Sequence, residues 1–122
     1  MFEVRLAREE KTHEKAPSTF MNTINQTDKF KQWLTRISDK TLRGAVVGRI
    51  NRVAHGLFGD CRDVGDGLWE MRIDLGGGIR IYYVRDGLDV YLLLDGGGKN
   101  GQSAQIAAAK KLWAEIRKDR RK

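Results

Sequence analysis

Residues 68–94 read LWEMRIDLGGGIRIYYVRDGLDVYLLL. This stretch decides the fold class. From Leu68 to Asp74 the residues alternate, with Trp69, Met71 and Ile73 on one side and Glu70, Arg72 and Asp74 on the other. A period of two is the signature of a strand with two different faces. From Ile79 to Arg85 a second alternation sets Ile81 and Tyr83 against Arg80, Tyr82 and Val84. Gly76, Gly77 and Gly78 join the two as a hairpin. Asp86–Gly87 is a second turn signal. It leads into LDVYLLL, which is apolar on both faces and predicts a central strand.

The elements outside this meander read as helices and an edge. Before it, CRDVG predicts a short edge strand. Upstream, Thr27 is an N-cap candidate, and Phe30, Trp33, Leu34 and Ile37 form one apolar stripe at helical spacing. Ser38 and Asp39 interrupt it. A second stripe, Leu42, Ala45, Val46, Ile50 and Val53, ends at Gly56, with Arg43, Arg49 and Arg52 assigned to its outer face. Two helices so close in sequence make an antiparallel hairpin that needs a flat partner. After Gly101, Ser103 reads as the cap of a last helix with Ile106, Ala109, Leu112, Trp113 and Ile116 on its apolar side. The order is α+β: an antiparallel-dominated sheet packed by an N-terminal helical hairpin, plus a C-terminal helix. On this reading the sheet's other face, carrying Arg72, Arg80 and Tyr82, is open.

The 122 residues suffice for one domain with its own core. The domain is placed at residues 20–116, opening on a weak strand candidate with Phe20, Asn22 and Ile24 on one side. Residues 1–19 read as a flexible extension, in which Phe2, Val4 and Leu6 alternate as a short strand would. Residues 117–122 read as a basic tail contributing charge and little core. The net charge is +7, and residues 110–122 alone hold seven Lys/Arg against two Asp/Glu. Such an end favours an anionic partner: nucleic acid, ribosome or an acidic protein. No apolar run reaches the ~18 residues of a membrane span, and the N-terminus lacks the apolar block of a signal peptide, so a cytoplasmic protein is expected.

Most catalytic kits are missing. The one cysteine, Cys61, excludes an internal disulfide, and His13 and His55 have no ligand at metal spacing. No metal or cofactor is expected. The stretch DGGGKN lacks the ending of a nucleotide-binding P-loop, yet its glycines would leave N–H groups open to an anion beside Lys99. The informative set is Arg72, Arg80 and Lys99. Two arginines on adjacent strands share a face and Lys99 follows the next strand, so three cations could converge on a phosphate and on the extra charge of its pentacovalent transition state. Solvated strand arginines beside Glu70 and Asp74 are the alternative.

Taken in order, F-x-x-W-L, R-I-x-R, G-D-x-x-x-V-G-x-G, E-x-R-I, G-x-R-x-Y-Y and L-L-x-G-G-x-K give the chain a wider likeness. Over about residues 20–115 it resembles the RelE/ParE toxin superfamily, in its HigB-like "addiction module killer protein" branch. The resemblance implies the toxin of a type II toxin–antitoxin pair with a microbial-ribonuclease-like α+β fold. It implies a cognate antitoxin, typically a helix-turn-helix protein, as partner. RelE-like members cut messenger RNA on the ribosome without a metal, by attack of the 2′-hydroxyl on its own 3′ phosphate. ParE-like members inhibit DNA gyrase, and an attenuated toxin would bind antitoxin only.

On the nuclease reading the catalytic positions fall on Arg72, Arg80 and Lys99, with Tyr82, Arg49, Arg52, Lys110 and Lys111 as RNA-binding candidates. Gly98 stands where the branch usually has an aspartate. No residue is assigned as general base.

Overall fold

A computed structural model describes residues 2–4 and 21–121. Its elements run β1 (Phe2–Val4), β2 (Thr23–Gln26), α1 (Asp28–Arg36), α2 (Lys40–Ala54), β3 (Cys61–Gly65), β4 (Leu68–Ile73), β5 (Ile79–Arg85), β6 (Val90–Gly98) and α3 (Gln102–Arg120). The fold is α+β. One six-stranded sheet has the order β1-β2-β6-β5-β4-β3, antiparallel throughout except where β2 runs parallel to β6. The strand expected at Phe2 and Val4 therefore belongs to the sheet, paired with β2. Residues 5–20, including the rest of the proposed extension and Phe20, lie outside the described residues.

Local signals act where the sequence places them. Thr27 caps α1 through its hydroxyl, which accepts from the Phe30 amide at 3.0 Å. Asp39 caps α2 by accepting from the amides of Thr41 and Leu42 at 2.9 and 3.1 Å. Gly56, at φ 87°, follows the end of α2 in the left-handed region where a glycine is favoured. The stripes of α1 and α2 then meet one sheet face. Phe30, Val46, Ile50 and Val53 pack there with Met71, Ile73, Ile79, Ile81, Tyr83 and Leu93. Enclosing a side chain such as Phe30 contributes about 1.5–3 kcal/mol.

The opposite face is not open. There α3 lays Ala109 and Trp113, with Ile106, Leu112 and Ile116, over Leu68, Tyr82, Val84, Leu92 and Leu94. The central strand β6 is apolar on both faces because each face is covered. Three expectations are corrected here. The glycines of DGGGKN are strand and not a loop, paired as Gly96 with Ile81, Gly97 with Arg80 and Gly98 with Ile79, and the Gly96 amide is taken by the Asp95 carboxylate at 2.9 Å. They are glycines for room: a Cβ at Gly96 would strike Trp33, and one at Gly97 would strike the Gln105 amide. The N-cap of α3 is Gly101, at φ 81°, with Ser103 inside the helix. Finally, α3 runs to Arg120, whose guanidinium donates to both carboxylate oxygens of Asp86 at 2.7 and 3.0 Å. Arg117 and Arg120 both lie over the Trp113 ring. Residues 117–120 are thus the exposed last turn of α3, tied back through Arg120 to Asp86 and through Arg117 and Arg120 to Trp113.

Candidate functional site

A cleft of about 360 Å³ opens beside the N-terminal end of α3. Asp60, Arg72, Ile73, Asp74, Gly77, Gly78, Ile79, Arg80 and Lys99 line it. Arg72, Arg80 and Lys99 are therefore brought together, from β4, β5 and the loop after β6. Arg72 and Arg80 are direct cross-strand partners, which puts both side chains on one face. Lys99 stands against the glycine turn, where a Cβ on Gly78 would lie 3.6 Å from its own.

The supporting shell is built around Glu70, which is 0% exposed. One of its oxygens accepts from Arg62 Nε at 3.0 Å. The other accepts from Gln102 Nε2 at 2.7 Å and from the Tyr82 hydroxyl at 3.3 Å, and faces Arg80 Nε at 3.4 Å. A buried carboxylate costs several kcal/mol unless paired and hydrogen-bonded, and here four groups share that task. Gln105 completes the shell. It accepts from the Tyr82 hydroxyl at 2.8 Å and donates to the carbonyls of Gly98 and Asn100, fixing the loop that carries Lys99. Gly97 permits this approach. Arg80 NH1 donates to the Lys99 carbonyl at 3.4 Å, while its buried Nε has the Glu70 carboxylate as an ion-pair neighbour and makes no hydrogen bond.

The remaining candidate residues lie outside the cleft. Tyr82 is fully buried, so no base can stack on it. Burial first, and then the Glu70 carboxylate, push its phenol well above the usual tyrosine range, with Arg80 opposing. Arg49 is 8% exposed and binds no partner from outside. Its guanidinium donates to the carbonyls of Phe58, Arg72 and Asp60 at 3.0, 2.7 and 3.1 Å, tying the loop before β3 to the end of β4. Gly59, at φ 73°, makes room for it. Arg52 and Lys111 are exposed and line no part of the cleft. Lys110 lies toward the opposite end of β4, paired with Asp66 at 3.4 Å. Cys61 is half-buried, with its thiol donating to the Phe58 carbonyl.

Alternation alone does not single out Asp60, Arg62, Glu70, Gln102 and Gln105. Asp60 pairs with Arg72 through contacts of 3.3 Å to Nε and NH2. The cleft thus sets Asp60, Asp74 and the underlying Glu70 against three cations. The one available signal was that Glu70 shares a strand face with Arg72. Among the described residues, no group of three or more His, Cys, Asp or Glu is placed to hold a metal ion, and no helix is long and apolar enough to cross a membrane.

No family model matches the sequence. A protein of Haemophilus influenzae described as uncharacterized is 37% identical over 93 residues, which cover 76% of this chain and 94% of that protein. The chain belongs to the same family as that Haemophilus influenzae protein.

Proposed function

We propose that the protein is a toxin of the RelE/ParE type that cuts messenger RNA on the ribosome and is neutralised by a cognate antitoxin. The observation that carries this reading is the convergence of Arg72, Arg80 and Lys99 on one cleft, with Arg80 braced from beneath by a buried carboxylate. In the reaction, the 2′-hydroxyl attacks the adjacent 3′ phosphate and the 5′ oxygen leaves. Charge accumulates on the non-bridging oxygens of the transition state. The planar fork of Arg80 suits that charge, and its ion pair with Glu70 and bond to the Lys99 carbonyl mean little reorganisation as the charge forms. Arg72 positions the backbone. Lys99, with Arg72, stabilises the charge on the leaving 5′ oxygen, which takes up the proton that the 2′-hydroxyl releases.

The test is induced expression in bacteria, with primer extension on transcripts. Wild type is expected to arrest growth and cut messages. Arg80→Ala is expected to lower cutting by about 10²–10³-fold, the range for one lost electrostatic donor. Intact messages under a growth-arresting dose overturn the reading. The three carboxylates around the cleft lower its net charge and favour a second reading, inhibition of DNA gyrase through protein contacts. That reading expects a gyrase cleavage assay to respond to purified protein and Arg80→Ala to leave the response intact. Expression that neither slows growth nor cuts messages fits an attenuated toxin that binds antitoxin only.

A further inference from the structure

We propose that Arg62 is a second phosphate subsite, one nucleotide along the strand from the cleft, and that Lys110 is a third. This deepens the RNA-cutting reading and rests on it. The three cations stand in one row on the same sheet face. Arg72 lies on β4 itself. Arg62 is the cross-strand partner of Glu70, two residues back along β4. Lys110 reaches over Gly65, the partner of Leu68, two residues further back; its Nζ is 3.1 Å from where a Cβ on Gly65 would lie. Each step of two residues is about 7 Å along an antiparallel strand. That is close to the separation of successive phosphates in an extended nucleic-acid chain.

Glu70 ties the Arg62 station to Arg80 in the cleft. One of its oxygens accepts from Arg62 Nε and the other lies 3.4 Å from Arg80 Nε as an ion pair, so one buried carboxylate neighbours both guanidinia. Because Glu70 occupies Nε, the terminal nitrogens of Arg62 have no hydrogen-bond or ion-pair partner among the described residues. Its side chain is 49% exposed. A half-exposed, pre-oriented fork of this kind matches the bidentate geometry of a phosphate. The carboxylates beside the outer stations, Asp60 and Asp66, are 59% and 78% exposed. Such surface pairs contribute only ~0–1 kcal/mol and exchange readily for a phosphate. The arrangement fits a single strand in an extended conformation, since a duplex would present its phosphates on a curved surface.

The experiment is fluorescence anisotropy of full-length protein with a labelled twelve-nucleotide oligouridylate, across a salt series. Each phosphate contact on a single strand adds roughly 0.7 to the slope of log K against log salt. Arg62→Ala is expected to reduce the slope by about 0.7 and, at 0.1 M salt, to weaken binding about fivefold. Arg62→Gln, which keeps a donor for Glu70 but loses the charge, should do the same. Arg62→Lys should restore the slope. If Arg62 only serves Glu70, Arg62→Ala will lower the melting temperature and leave the slope unchanged, and the proposal is overturned. Absence of measurable affinity in the wild type also overturns it. Primer extension with Arg80→Ala decides the cutting reading separately, so the two failures are distinguishable.

Discussion

Replacing Glu70 with alanine tests the architecture beneath the cleft. The carboxylate is fully enclosed and accepts from Arg62, Gln102 and Tyr82 at 3.0, 2.7 and 3.3 Å, with Arg80 Nε at 3.4 Å. The partners are unequally affected by its loss. Arg62 is half-exposed and regains water, and Tyr82 keeps its bond to Gln105. The side chain of Arg80, 15% exposed, loses its counter-charge in a site where water replaces it poorly. Breaking a buried pair from one side typically costs about 3–5 kcal/mol. Re-solvation of Arg62 places this case toward the lower end, at about 3 kcal/mol. For a domain of this size that corresponds to a fall in melting temperature on the order of 10 °C. The assay is calorimetry with urea titration at pH 7, alongside Glu70→Gln, which preserves shape but turns an amide donor toward one of the donors. Both variants should be destabilised, alanine by an amount that a Gln102→Ala background diminishes, because the two share a bond. A loss below ~1 kcal/mol in both variants would refute the idea that Glu70 holds the arginine pair.

Two further predictions concern pH and the helix end. Burial pushes the phenols of Tyr82 and Tyr83 upward, the latter aided by the Cys61 thiol, so both stay protonated in the fold above the unfolded value of about 10. Their contribution is complete below about pH 10 and is lost as pH rises beyond it, by roughly 1 kcal/mol per tyrosine at pH 11. Urea midpoints between pH 8.5 and 11.5 should fall less steeply in Tyr82→Phe than in wild type; parallel curves would rule this out. Truncation after Ile116 removes the Arg120–Asp86 bonds and two cations over Trp113. It should cost about 1–2 kcal/mol, read by thermal melting, and an unchanged melting temperature would restore the view of residues 117–122 as charge alone.

Much was determined by sequence because it depends on near neighbours. The cap at Thr27, the break at Ser38 and Asp39, the stop at Gly56, the apolar stripes of α1 and α2 and the alternation of β4 and β5 are local chemistry, and each appears where the residues place it. Alternation also put Arg72 and Arg80 on one face, since register across a tight hairpin follows from the turn. Tertiary structure decided what covers that face. The stripe of α3 shows that it buries something, but not which sheet face it buries; by settling on the second face it encloses Tyr82 and Glu70 and leaves the cleft beside its own N-terminal end. Helical spacing placed Arg49 on the outside of α2, whereas the fold turns it inward to satisfy three carbonyls of a distant loop and strand. The glycines of residues 96–98 looked like a loop because flexibility and lack of bulk have the same spelling. Only the packed neighbours Trp33 and Gln105 reveal that, at Gly96 and Gly97, the missing side chains are space for other residues.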